Sequence, residues 1–211
     1  MSSKIKKHMS FKANKYDKLY PNREGEIKFL LKYLKGKTVL DIGGGTGIIS
    51  EALNKKGFEC LNVEPQPEMC SESKERGVNT YCIPAELFVD YTKSNFDNAI
   101  MVFDVFNFLD KPKEVIKNIS KILKGRLIFT YWNYDVRKSG WDFNWKLKRI
   151  TRKKWNNDEV TIDFWFPFWH EQHKMRAYSN DYIKKLLFNN GFKIVYKERN
   201  TFITKIVAEN A

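Results

Sequence analysis

Apolar residues along the first half of the chain follow two alternating rhythms. Ile27, Leu30, Leu31 and Leu34 fall at helical spacing and stop at Gly36, which predicts a helix from Glu24 to Leu34. The chain then switches to a short apolar run, Thr38 to Ile42, as a strand buried on both faces requires. Such runs return at Cys60 to Val63, Thr80 to Ile83, Asn98 to Phe103 and Arg126 to Tyr131, and helical patterns at Ile48 to Lys56, Pro67 to Arg76 and Lys113 to Leu123 separate most of them. This alternation predicts a mostly parallel sheet with helices on both faces and ligands at the strands' carboxyl ends.

The alternation pauses from Trp132 to Tyr178, about 45 residues where a connection of roughly 2 to 6 is usual. An insertion after the fifth strand, taken as 133–178, is therefore expected. Within it Val160 to Phe168 and Lys174 to Tyr178 read as strands around His170-Glu171-Gln172-His173, the pattern of a hairpin or flap over the ligand mouth. Ser179-Asn180-Asp181 then offers a cap to a helix through Phe188, ended by Asn189-Asn190-Gly191. Two last strands, Phe192 to Tyr196 and Thr201 to Val207, bring the sheet to seven. The 211 residues, 42% hydrophobic, read as one domain spanning 1–211, with a basic leader at 1–23 and the insertion as its additions.

The net charge of +13 is unevenly spread. Lysines dominate as far as Gly36, acids dominate between Glu51 and Asp110, and bases return at Arg137, Lys138, Lys146, Lys148, Arg149, Arg152, Lys153 and Lys154 among Trp141, Trp145 and Trp155. A basic and aromatic stretch of that kind suits a phosphate backbone and stacked bases; the competing reading is a solvated lysine face on a helix whose tryptophans pack inward. Cys60, Cys70 and Cys82 fall in no metal-like spacing, so no metal site and a reducing compartment are expected. No stretch approaches the roughly 20 apolar residues of a membrane span, and Met1 to His8 lacks the apolar block of a signal peptide, which together point to the cytoplasm.

The first strand runs into an acid-led glycine turn. Val39-Leu40-Asp41-Ile42-Gly43-Gly44-Gly45-Thr46-Gly47 reduces to D-x-G-x-G-x-G, a spacing that lets backbone turn sharply and pass close to a ligand. The dinucleotide pattern G-x-G-x-x-G would need glycine at 48, where this chain has Ile48. The loop and the order of elements around it resemble the class I S-adenosylmethionine-dependent methyltransferases, over about residues 24 to 131 and in outline over 179 to 207. That resemblance implies a Rossmann-like, doubly wound α/β fold and S-adenosylmethionine as cofactor.

It also implies site residues. Asp41 would orient the cofactor's ammonium group, with Gly43, Gly44, Gly45 and Gly47 letting the chain run beneath. Glu64, closing the strand Cys60-Leu61-Asn62-Val63, would accept both ribose hydroxyls through charge-assisted bonds. Pro84-Ala85-Glu86 keeps only the Ala-Glu of the family's usual Asp-Ala-Glu, so adenine recognition falls to backbone near Ala85 or to Glu86, for which a helix cap is the other role. Tyr16-Asp17-Lys18-Leu19-Tyr20 resembles an N-terminal aromatic segment that closes over cofactor, which brings Tyr16 or Tyr20 to the ligand. Asp104, in Asp104-Val105-Phe106-Asn107, is expected at the sulfonium region; members that methylate base amino groups carry Asn-Pro-Pro-Tyr or Asp-Pro-Pro-Tyr there, and this chain carries neither.

Methyl transfer from a sulfonium depends more on alignment than on acid chemistry, although a base helps when the acceptor is a hydroxyl or a protonated amine. His170, His173 and Asp104 are the candidate bases. In an extended stretch positions 170 and 173 face opposite sides, so at most one histidine meets substrate. The leading expectation is methyl transfer to an oxygen or nitrogen of a small molecule, held in an insertion rich in Trp132, Trp141, Trp145, Trp155, Trp165 and Trp169. The alternatives are an RNA-modifying methyltransferase that uses the basic N-terminus and the 137–154 segment, and a non-catalytic cofactor- or partner-binding module. The oligomeric state is left open.

Overall fold

A computed structural model describes residues 17, 23–132, 140–144, 149–156, 159–166, 169–200 and 203–211. Helix α1 (Glu24–Tyr33) leads into β1 (Thr38–Ile42), α2 (Ile48–Asn54), β2 (Glu59–Val63), α3 (Pro67–Glu75) and β3 (Asn79–Tyr81). A 3-10 turn at Ala85–Leu87 and the single-turn α4 (Phe88–Tyr91) precede β4 (Phe96–Met101). The one-turn α5 (Val105–Phe108), α6 (Pro112–Ile122) and β5 (Leu123–Trp132) follow. Pro67 and Pro112 open α3 and α6, where the missing N–H has no helical partner to lose.

The main sheet has seven strands in the order β10-β11-β5-β4-β1-β2-β3. Six run in one direction, and only β11 (Ile203–Asn210) is reversed, pairing antiparallel with both β5 and β10 (Phe192–Arg199). Because successive side chains alternate faces, β1 feeds two cores. Leu40 and Ile42 join Phe106, Ile116, Phe129 and Leu187 on one face, while Val39 joins Leu30, Ile49 and Leu53 on the other. Each fully buried side chain of this size contributes about 1.5–3 kcal/mol. Asp41 shares the face of Val39, beside α2, at the sheet's carboxyl end.

Helix α7 (Asn180–Phe188) is capped by Ser179, whose Oγ accepts from the Tyr182 amide at 3.1 Å. Most predicted elements are found within a few residues, but the insertion differs. It is a separate four-stranded antiparallel sheet of β6 (Gly140–Asn144), β7 (Arg149–Asn156), β8 (Glu159–Phe166) and β9 (Trp169–Arg176), where a single hairpin was expected. His170 and His173 lie within β9, not between strands, and the described residues of the basic stretch lie in β6 and β7, where a lysine-faced helix was the competing expectation. Val160, Ile162 and Met175 form a small core on this sheet's underside, against Phe108 and Trp132 of the main body.

The cysteine expectation needs a correction. Cys70 on α3 and Cys82 after β3 are joined as a disulfide with Cα atoms 5.9 Å apart, while Cys60 is free and buried. Their separation of 12 positions hid this, because only the packing of α3 on β3 brings them together. No helix among the described residues is long and apolar enough to cross a membrane.

Candidate functional site

The glycine loop is held from the end of β2. The Gly44 amide donates to Asn62 Oδ1 at 3.1 Å, Asn62 Nδ2 donates to the Gly45 carbonyl at 3.2 Å, and the Gly45 amide donates to Glu64 Oε2 at 3.1 Å. Gly43 and Gly45 adopt φ of 70° and 57°, where a side chain is strained; a Cβ on Gly43 would also run into Val105. Gly47, at φ 78°, is the N-cap of α2 and lies against Ser73. Asn62, fully buried, is a residue that sequence reasoning passed over. It reads as one more polar position in a strand until β2 is seen beside the loop.

Asp41 Oδ2 accepts from Ser50 Oγ at 2.7 Å, whereas Oδ1 is buried with no hydrogen-bond partner among the described residues. Burial pushes its pKa up to about 6 against the Ser50 bond and the Arg23 charge. Glu64 accepts from the Gln66 amide at 2.9 Å as well as from Gly45, and burial outweighs both bonds to bring it to about 7. Beside Asp41 and the glycine loop opens a hollow of about 50 Å³ whose lining includes Arg23, Asp41, Gly45, Phe103, Val105 and Phe108. Arg23 was not anticipated. It is buried, sits 4.6 Å from the Phe103 ring centroid, and approaches Asp17 Oδ1 at 3.7 Å. Its one signal in the sequence is being an arginine in a leader otherwise served by lysine.

The far wall comes from the end of β4. Phe103 and Asp104 both adopt left-handed φ, 56° and 64°; such strain in two successive non-glycine residues persists where surrounding contacts impose it. The Asp104 amide donates to Thr130 Oγ1 at 3.0 Å, and Asp104 Oδ2 accepts from Trp132 Nε1 at 2.6 Å. Its Oδ1 is buried and unpartnered among the described residues, and burial pushes the carboxyl up to about 7 despite the Trp132 bond. Phe106 belongs to the core, and Asn107 reaches the insertion: its Oδ1 accepts from the Trp132 amide at 2.9 Å and its Nδ2 donates to the Arg176 carbonyl at 2.5 Å.

The two histidines part company. His173 is buried on the underside of the inserted sheet, its ring 6.2 Å from that of Phe108 and roughly edge-on, and so stands behind a residue of the hollow. His170 is on the opposite face, exposed, with Nε2 3.3 Å from Asp163 Oδ1, which also accepts from Gln172 Nε2 at 2.8 Å. Ala85 is buried in the turn after β3, and Glu86 Oε1 accepts from the Lys111 amide at 3.2 Å at the start of α6, so its carboxylate acts as a helix cap. Tyr16, Tyr20 and Trp145 lie outside the described residues, as do the side chains of Trp141, Trp155, Trp165 and Trp169. A larger cleft, about 800 Å³, lies between the starts of α6 and α7 and shares no lining residue with the glycine-loop hollow. Volume favours that cleft, but the left-handed Phe103 and the buried Asp41 carboxylate, with one oxygen unpartnered among the described residues, line the smaller hollow, where chemistry is expected.

Comparison with known proteins gives a consistent picture. A family described as a methyltransferase domain matches residues 17–197. A ubiquinone biosynthesis O-methyltransferase from Idiomarina loihiensis is 28% identical over 128 residues, 57% of this chain and 52% of that protein. One from Coxiella burnetii is 31% identical over 112 residues, 49% and 47% of the two chains. The match thus spans about half the length of these curated relatives. An S-adenosylmethionine-dependent methyltransferase from Clostridium acetobutylicum superposes with a TM-score of 0.77 at 22% identity, covering 94% of this chain and 97% of that one. An amino pentose methyltransferase from Micromonospora echinaspora gives 0.76 at 16%, covering 96% and 98%. With the family match extending over most of the chain, and the strand order and acid-led loop agreeing with it, the chain belongs to the methyltransferase-domain family and has the fold of the class I S-adenosylmethionine-dependent enzymes.

Proposed function

We propose that this methyltransferase moves a methyl group from S-adenosylmethionine to an oxygen or nitrogen of a small molecule. The observation that carries the reading is the buried Asp41 Oδ1 beside the glycine loop, unpartnered among the described residues. A carboxylate oxygen without a partner in a low-dielectric site is costly, and an ammonium group answers it. The rest of the set fits the same compound. Arg23 would take its carboxylate, Glu64 its ribose hydroxyls, and open space beyond Gly45 leaves room for backbone contact. When bound, S-adenosylmethionine supplies a methyl already activated on a positively charged sulfur.

The chain's own task is then to align the acceptor, exclude water and accept a proton. The inserted sheet, with Val160, Ile162 and Met175 on its underside, would form the acceptor's roof and keep water out. His173, on that underside, is the preferred base; Asp104, next to Phe103 of the hollow's lining, is the other candidate. His170, facing away, would be dispensable. Relatives named for O-methylation in ubiquinone biosynthesis and for sugar N-methylation support a small acceptor without deciding between oxygen and nitrogen.

Calorimetric titration tests the donor assignment: S-adenosylmethionine should bind and raise the melting temperature while NAD does neither. Equal response to NAD, or none to S-adenosylmethionine, would end the proposal.

A further inference from the structure

We propose that Asn107 is the positioning residue that clamps both stems of the inserted sheet to the donor site. The chain leaves the main sheet at Trp132 and leaves the inserted sheet at Arg176, and Asn107 bonds to the backbone of both, accepting from the first at 2.9 Å and donating to the second at 2.5 Å. It is 1% exposed, so neither bond is replaced by water without opening the structure. An asparagine amide carries one acceptor and two donors on a single planar group, which suits it to hold an N–H and a C=O from two different strands at once.

Its neighbours on the one-turn α5 face elsewhere. Val105 and Phe108 line the glycine-loop hollow, and Phe106 is buried with ring centroids 5.1 Å from Phe129 and 5.0 Å from Tyr178. Four consecutive residues thus connect the hollow, the core and the insertion. Trp132 adds a second tie through its Nε1 bond to Asp104, and its ring packs beneath Val160, Ile162 and Met175. The register of the inserted sheet over the hollow, and with it the place of His173, is set at this junction. The catalytic consequence rests on the acceptor-roof reading above; the clamp itself does not.

Hydrogen exchange on the full-length protein tests it. In Asn107→Ala, exchange at the Trp132 amide and across β8 and β9 should rise roughly tenfold or more, while β1 and β2 amides keep their protection. Affinity for S-adenosylhomocysteine, the probe for the donor site, should change less than about threefold. Asn107→Asp keeps the acceptor for the Trp132 amide and loses the donor to Arg176, so protection at 132 should return while β9 stays open. With catechol as probe acceptor, kcat should fall about tenfold to a hundredfold in Asn107→Ala with KM for S-adenosylmethionine unchanged. Unaltered β8–β9 exchange, or equal loosening of β1 and β2, overturns the clamp, since Asn107 would then be a local contact or a general core residue. An opened insertion with unchanged kcat overturns its link to the acceptor. Absence of donor binding in the wild-type protein instead removes the functional reading and leaves the exchange pattern to judge the clamp.

Discussion

The glycine-loop unit and the inserted sheet both abut the segment that follows β4, yet they assemble by different means. From Asp41 to Glu64 every site residue belongs to one strand-helix-strand unit, and Asn62, Glu64 and Ser50 hold the loop through contacts no more than 19 positions apart. The insertion is tied to α5, whose Val105 and Phe108 line the hollow, through bonds from Asn107 spanning 25 and 69 positions and through packing on Phe108 and Trp132. A locally closed unit keeps its geometry when distant parts move, whereas a sheet tied at two stems depends on them. Substitutions on the donor side should therefore alter binding, and those in the insertion should alter turnover.

The largest effect that would break this division is at His173. His173→Ala should lower turnover about a hundredfold or more while donor affinity holds, as loss of a general base does; a change in donor affinity instead would place it on the wrong side. Asp41→Ala should weaken S-adenosylmethionine binding by roughly tenfold to a hundredfold in calorimetry, the effect of a lost charge-assisted bond. Retained affinity would detach the glycine loop from the donor.

The acidity of the site sharpens the comparison further. Asp41 and Glu64 rise from 3.8 and 4.5 to about 6 and about 7, so the ligand-free folded state holds their protons more tightly than the unfolded chain. Ligand-free stability contributed by these groups is thus greatest at low pH and falls as pH rises from about 4 to 7, then levels off. Donor affinity has the opposite sign on the proposed reading, in which both ionised carboxylates hold the donor, and should increase roughly a hundredfold between pH 5.5 and 7.5. Titrations at several pH values check both. Smaller still, Ser179→Ala should cost about 1 kcal/mol in chemical denaturation through loss of the α7 cap, and His170→Ala should leave turnover within about twofold.

Much of the donor side was legible because its signals are local. The apolar rhythm placed β1, α2, β2 and α3, and the acid-led glycines marked the turn between them. Arg23 and Asn62 were not legible, since an arginine before a helix and an asparagine in a strand acquire meaning only when β2 and the start of α1 lie beside the loop. Glu86 drew attention through a resemblance, but its carboxylate caps α6. In the insertion a lysine- and tryptophan-rich stretch suggested a helix face, and pairing with β8 made β7 a strand, since cross-strand packing outweighs the weak propensity of such a sequence.

Sequence alone determined the strand-helix alternation, the glycine loop and its leading acid, because these follow from side-chain periodicity and from the freedom of glycine at positive φ. Tertiary structure alone decided that His173 faces inward and His170 outward, that Asp104 meets Trp132, and that one asparagine holds both ends of the inserted sheet. Those relations join residues far apart in the chain, and burial enforces them: once Asn107 is out of water, the backbone groups of Trp132 and Arg176 are the partners it is given.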